Sequence, residues 1–430
     1  MTDSVIAPDA TPDTIAGVVR DAPFVRLVAR DDGDSLAAAS LLAGAARGVD
    51  TPFQIRIHPD PAGTIDDATG DSGPGPSAGT DDEVHVLVGV EGIETTTTSA
   101  NDRSAGDGSA DDGSADDRST ATESYVLRSD GRPASTAAFA VGTELGGDPD
   151  PVLALAGVVA AGSVPGTDGS GTALDVATQR GLVERQPGLA VPSPETDDGL
   201  ATGIAASTLF HAPYSGAPDD VRATIGADVL ADADRRRVAS TVAVDVVAPA
   251  AATQRASSAV ERALRPYATT GPVGTVGGYA DVLDVLARES PGTGIALALA
   301  GTGVNDDLRS AAIETWQTHG TAVHAAIAET TMARYDGVSV ARVSAPAATL
   351  PTVARLLREY RSPEPVTLVL DPDAGRVAAA ATDPTGIGTA LRRVAAERDG
   401  TGWGGPTRGG ARVPMDDDGS AVIAATREAL

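Results

Sequence analysis

The first clear hydrophobic run is Phe24–Ala29 (FVRLVA), which reads as a short buried strand. The alanine- and leucine-rich stretch Leu36–Arg47 follows and reads as a helix packed on it. Residues 1–20 are acidic and polar and predict a flexible lead-in. Further apolar runs at Phe53–His58 (FQIRIH), Val84–Val90 (VHVLVGV) and Tyr125–Leu127 predict more strands. Helical spacing resumes at Ala134–Glu144 and Pro151–Ala161. Strands alternating with helices predict an α/β unit, residues 21–216, with a largely parallel sheet and helices on both faces. Its end, Leu200–Gly216, is turn-rich.

Residues 217–327 read as a helix-rich connecting region, broken at TTGPVGTVGGY. Residues 328–430 return to strands and helices and are long enough to fold as a smaller α/β domain. The pattern there is a strand at Val338–Ser344, a helix at Thr352–Tyr360, and a hairpin from Val366–Pro372 and Gly375–Thr382. A helix at Gly388–Arg398, the glycine loop GTGWGGPTRGG and the short strand ARVPM complete it. Two stretches, 60–83 and 95–123, carry almost no apolar side chains and cannot bury enough surface to offset ordering them. They read as disordered acidic insertions whose effect is solubility.

Composition narrows the function classes. The 430 residues carry 60 acidic side chains against 32 arginines, with no lysine, for a formal net charge of -28. Such a charge suits a halophilic protein in concentrated salt, where screening makes it tolerable. It argues against broad non-specific nucleic-acid binding, leaving local arginine clusters to meet phosphates. The absence of cysteine excludes disulfides and thiolate chemistry. The first residues lack the basic and apolar regions of a signal peptide, and no run has the length and purity of a membrane span. A cytoplasmic protein without a membrane partner is expected.

Asp32 and Asp34 end a strand and open a helix. Carboxylates so placed hold a divalent metal, or cap the helix while Arg30 pairs with them. Arg408 and Arg412 flank glycine-rich backbone at Gly404 and Gly405, where guanidinium forks and N–H groups suit a phosphate. Trp403 beside them can stack on a base or pack the loop. Arg235, Arg236 and Arg237 either face phosphates or lie on a solvated helix. His58 and His85 read as packing or surface residues, and His211 as a turn or cleft residue. His319 and His324, five apart, do not share a helix face.

These parts, in this order, resemble the DHH phosphoesterases over residues 22–425, especially the archaeal RecJ-like branch. That resemblance implies an N-terminal DHH-type domain and a smaller C-terminal DHHA1-like domain. The family's His-x-Asp-x-Asp-Gly motif falls on Arg30–Ser35, so Asp32 and Asp34 match its metal-binding aspartates and Arg30 replaces its histidine. The bridging aspartate falls at Gly89 and Val90, followed by Glu91 and Glu94. The Asp-His-His place holds Arg128, Ser129 and Asp130, and the helix-closing aspartate falls at Ala161–Ser163. The Gly-Gly-His loop becomes Gly404-Gly405-Pro406. The resemblance therefore implies a catalytically degenerate accessory or scaffold subunit in DNA replication or repair. Its implied partners are GINS or replicative-helicase subunits and single-stranded nucleic acid. No cofactor, or weakly bound Mn²⁺ or Mg²⁺ at Asp32 and Asp34, goes with it. The alternative it implies is an active metal-dependent single-strand exonuclease or phosphodiesterase using those two aspartates.

Overall fold

The computed structural model describes residues 9–64, 83–90, 123–193, 197–231, 234–416 and 418–430. The first sheet contains β1 (Asp9–Ala10), β2 (Phe24–Ala29), β3 (Phe53–Ile57), β4 (Glu83–Val88) and β5 (Glu123–Leu127). Its order is β1-β5-β4-β2-β3, and every pairing is parallel. Ala29 of β2 aligns with Ile57 of β3 and Val88 of β4, so the strands end at a common edge. The carboxylate loop leaves from that edge, where open α/β sheets carry their ligand sites.

Alternation along the strands sorts the side chains. Val25, Leu27, Ala29, Val86, Val88 and Leu127 face the main core, while Val28, Leu87 and Val126 form a small cluster on the opposite face. Helices Pro12–Asp21, Gly33–Gly48 and Ala134–Glu144 pack side by side against the strands. The expected helices on both faces are thus found on one face among the described residues. The expected flexible lead-in also differs. Residues 9–20 supply β1 and most of the helix Pro12–Asp21, which begins with Thr11 as a cap and Pro12 at its first position. Ile15, Ala16 and Val19 anchor this helix in the core.

The helix Gly33–Gly48 is buried on nearly every side because helices Ala134–Glu144, Pro151–Ala160 and Val276–Glu289 surround it. Small residues on these helices permit the close approach. A side chain at Gly33 would meet the Asp284 backbone nitrogen at 2.8 Å, and one at Gly157 would meet Ser135 at 2.5 Å.

The middle region is not purely helical. Strand β6 (Val183–Arg185) pairs antiparallel with β7 (Tyr267–Thr269). The stretch expected as turn-rich opens with the helix Asp197–Ala206. Helices Pro218–Ile225, Ala227–Ala231, Arg235–Val247, Arg255–Glu261, Val276–Glu289, Pro291–Ala300 and Asp306–Glu329 complete the region.

The C-terminal sheet contains β8 (Met332–Tyr335), β9 (Val338–Arg342), β10 (Val366–Asp371), β11 (Arg376–Ala381), β12 (Thr401–Gly404) and β13 (Arg408–Arg412). Its order is β12-β13-β11-β10-β9-β8, with only β9 and β10 parallel. The expected glycine loop is a hairpin: glycines let β12 and β13 approach the helix Ile387–Ala396, and a side chain at Gly402 would meet the Leu391 carbonyl at 2.5 Å. Val369, Ala378 and Ala380 point toward the helix Leu350–Tyr360 and the main core. Leu368, Leu370 and Ala379 point into a second core closed by Ile387, Leu391, Val394, Val422 and Ile423. This architecture is the expected α/β one: an N-terminal parallel sheet, a helix-rich middle and a smaller, mixed C-terminal sheet. Most of stretches 60–83 and 95–123, with Glu91 and Glu94, lies outside the described residues. No described helix is long and apolar enough to cross a membrane.

Candidate functional site

The carboxylate loop follows β2, and its geometry decides what Asp32 and Asp34 do. Asp32 is buried and caps the helix Gly33–Gly48, accepting from the Ser35 amide at 2.9 Å. Such a cap contributes about 1 kcal/mol. Its other oxygen accepts from the Arg30 guanidinium and lies 3.4 Å from Arg408 on β13. Burial alone would raise the Asp32 pKa, but Arg30 and Arg408 together hold it well below the usual carboxylate range. Asp34 turns into the protein instead. Its oxygens accept from the Ala134 amide at 2.7 Å and the Ser135 amide at 3.0 Å, at the start of the next helix. Burial, with repulsion from Asp32, pushes Asp34 up to about 6. Asp31 is likewise pushed up to about 6, by desolvation first and Asp32 second.

Among the described residues, the neighbouring positions that would have to supply further metal ligands do not. Gly89 follows β4 with φ of 76°, and a side chain there would meet Ser35 Oγ at 2.1 Å and Arg30 Cβ at 3.2 Å. Asp130 is exposed and paired with Arg128, outside the cleft. Asp284 reaches the loop from the helix Val276–Glu289 and accepts from the Gly33 amide at 3.0 Å, but Arg288 binds it at 2.8 Å. Among the described residues, no group of three or more His, Asp or Glu side chains is placed to hold a metal ion. The oxygens of Asp32 and Asp34 already serve guanidinium and amide donors. The donor set therefore does not fit a two-metal centre, which needs several carboxylate or imidazole ligands between its ions.

The loop opens instead onto a cleft of about 440 Å³ between the N-terminal, middle and C-terminal regions. Its described walls carry seven arginines against four carboxylates, a local excess of positive charge in a strongly acidic chain. Arg30, Arg288 and Arg408 surround the carboxylate loop. Arg262, Arg355 and Arg358 converge on Glu359, at 2.8, 3.4 and 2.8 Å respectively. Burial would raise Glu359, yet the three guanidiniums lower its pKa below the ordinary value. Arg255 makes no carboxylate pair among the described residues and donates to the backbone carbonyls of Arg358, Ser362 and Glu364.

The cleft collects only part of the set expected from sequence. Trp403, Gly404 and Arg408 line it, whereas Gly405 and Arg412 do not. The Gly405 amide is spent on the Arg408 carbonyl at 2.8 Å, closing the hairpin, and the Gly404 carbonyl accepts from Arg392. Trp403 packs across Gly410, where a side chain would meet the indole at 2.8 Å. Arg235 binds Gln186 and Arg237 is exposed, so that cluster lies away from the cleft. Of the histidines, His85 pairs with Glu83 and His58 with the Asp60 backbone. His319 sits between Glu289 and Thr352. His211 and His324 stack 5.2 Å apart in a buried relay described below. Sequence reading did not single out Arg255, Arg262, Arg288, Arg355 and Arg358. The pair Arg355 and Arg358, three apart on a helix that also carries Glu359, was the available signal.

Fold and site together define a class: an α/β protein with an N-terminal parallel sheet, a smaller mixed C-terminal sheet, and a carboxylate loop whose Asp32 is paired with arginine. Comparison with known proteins adds the family. Residues 330–428 match the family model described as "Uncharacterized protein rrnAC1427, C-terminal domain". The whole chain is 41% identical over 434 residues to the rrnAC1427 protein of Haloarcula marismortui, covering 98% of each. The chain belongs to that protein's family. Among solved structures, CDC45 from Entamoeba histolytica shares the fold, with a TM-score of 0.58 at 7% identity over 97% of this chain and 98% of that one. The exonuclease RecJ bound to manganese aligns at a TM-score of 0.47 and 13% identity, over 98% and 94% of the two chains.

Proposed function

We propose that this protein is a catalytically degenerate member of the RecJ-like group, acting as an accessory or scaffold subunit in DNA replication or repair. The observation that carries the reading is the capture of Asp32 by Arg30 and Arg408, with Asp34 committed to a helix N-terminus. Carboxylates so occupied hold a fold together rather than activate water. On this reading the cleft holds the phosphates of single-stranded nucleic acid. Arg408 and Arg255 are its contacts and Trp403 its stacking surface, while Arg412, Gly404 and Gly405 support the hairpin. The likeness of fold to CDC45 supports GINS or replicative-helicase subunits as partners.

The test uses purified protein in molar KCl with Mn²⁺ or Mg²⁺, offered single-stranded DNA, RNA and a dinucleotide. No cleavage is expected, together with binding of a labelled single strand that weakens in Arg255→Ala and co-purification with GINS or helicase subunits. Metal-dependent cleavage abolished by Asp34→Ala would replace this reading with that of an active exonuclease. Failure to retain either partner in high salt would remove the scaffold role.

A further inference from the structure

We propose that a second groove, sharing no residue with the arginine cleft, docks an acidic and aliphatic segment of a partner protein. The groove, about 510 Å³, runs between the helix Arg235–Val247 and the adjoining segments Arg185–Gly188 and Leu264–Arg265. Pro187, Ala239, Ala243 and Leu264 give it apolar walls. Arg185, Arg236 and Arg265 stand at its rim, and no carboxylate is among its described lining residues. Three cations without an acid invert the local charge of a chain whose net charge is -28. Arg265 meets Glu261 only at 3.6 Å, both well exposed, a pairing worth little in water. Arg185 lies 5.5 Å over the Tyr267 ring, which fixes its position.

The helix contributes a second, independent feature. Arg236, Ser240, Ala243 and Val247 share one face by their spacing, and Val244 borders it. Val244 is 61% and Val247 43% exposed; the other exposed large apolar side chain among the described residues is the terminal Leu430. The groove floor offers no open strand edge, because the Arg265 amide donates to Gly188 at 3.1 Å and the Gln186 amide to Pro266 at 2.9 Å. Recognition there rests on side chains: carboxylates for the three guanidiniums, and short aliphatic groups for the two valines. A nucleic-acid backbone would answer the arginines and leave the valines wet, so the chemistry favours a protein segment. The inference is independent of the replication role proposed above.

Fluorescence anisotropy on the full chain tests it, with a labelled peptide alternating Glu and Val, its Gln-for-Glu counterpart, and oligothymidylate, each across a KCl titration. The Glu peptide should bind and weaken as KCl rises, with the Gln peptide about tenfold weaker, as expected for loss of charge complementarity. Arg236→Glu and Val247→Asp, both at exposed positions, should each weaken the Glu peptide by about tenfold. Arg265→Gly removes a guanidinium while suiting the left-handed backbone there, φ 52°, so its folding is protected. Equal binding of the two peptides, no binding of either, or indifference to Arg236→Glu would each overturn the proposal. Oligothymidylate binding lost in Arg236→Glu, with no peptide binding, would assign the groove to nucleic acid instead.

Discussion

Glu359 is the single carboxylate on which Arg262, Arg355 and Arg358 converge, so Glu359→Gln isolates the charge balance of the cleft. Glutamine keeps the shape and one acceptor but removes the negative charge. The side chains of Glu359 and Arg262 are 7% and 10% exposed, and those of Arg355 and Arg358 are 24% and 21% exposed. Breaking a buried ion pair by neutralising one partner costs about 3–5 kcal/mol. Two features place this case at the lower end. Each guanidinium also donates to a backbone carbonyl, at Ala259, Thr208 or Ala381, and the cleft admits water. The expected loss is about 3 kcal/mol, or roughly 6–12 °C in melting temperature at the scaling of a mid-sized domain. Circular dichroism melts in molar KCl would read it. Adding sulfate should restore more stability to the variant than to the wild type, because an anion can take the vacated place; the wild-type control removes sulfate's general stabilising effect. A shift under about 2 °C, the equivalent of less than 1 kcal/mol, would refute the charge balance drawn here. A full shift with no extra sulfate rescue would refute the anion site alone.

Three further outcomes follow from the geometry. Arg361 donates to His211 Nε2 at 2.9 Å, His211 Nδ1 to His324 Nδ1 at 3.1 Å, and His324 Nε2 to the Ser207 carbonyl at 2.9 Å, a one-way relay needing both rings neutral. Desolvation, then the neighbouring positive groups, push His324 down to about 4, so the unfolded chain binds more protons than the folded one between about pH 6.5 and 4. Stability from this group is complete above the unfolded pKa and falls as pH drops. At pH 5 the deficit is about 2 kcal/mol, so the penalty of His324→Asn measured at pH 7 should shrink by about that amount at pH 5, and a constant penalty would contradict the relay. The raised Asp31 and Asp34 act in the opposite sense, their contribution being full below about pH 3.8 and lost as pH rises through about 6, which is why the comparison with the variant is needed. Asp34→Asn sets an amide against the Ala134 or Ser135 N–H and should lower stability by about 1–3 kcal/mol in urea unfolding, whether or not Mn²⁺ is present. Gly320→Ala would place a methyl 1.9 Å from the Ala206 carbonyl oxygen, and should lower the denaturation midpoint where Gly44→Ala, with open space around it, does not.

The sheet-and-helix order was legible because its signals are local. Val25, Leu27 and Ala29 alternate with Val28 as a strand packed on one face must. The N-terminal helix was missed because its apolar residues, Ile15, Ala16 and Val19, are few among acidic neighbours, and its stability comes from the core it meets. The hairpin Thr401–Arg412 was missed because glycines, poor strand formers, are tolerated there by contact with the helix Ile387–Ala396. The site divided in the same way. Asp32, Asp34 and Arg30 lie within five residues and could be read together. Arg255, Arg262, Arg288 and Arg355 become neighbours only through the packing of three helices, and no spacing in the chain announces that.

Solvent conditions explain why arginine at contact distance matters in such a molecule. At about 1 M salt the screening length is roughly 3 Å, so the field of the acidic surface hardly reaches past its first ions. Selective attraction must then come from groups in direct contact and partly withdrawn from water. Arg262 against Glu359 and Arg288 against Asp284, each at 2.8 Å with side chains about a tenth exposed, meet that requirement. A metal ion at this place would depend on supply and on ligands free to receive it. A guanidinium is covalently part of the chain, charged at every working pH, and directional in its donors. Arg30 therefore does more than hold Asp32. It gives the carboxylate loop a cation of its own, and it leaves the surrounding cleft with positive charge to offer an anion.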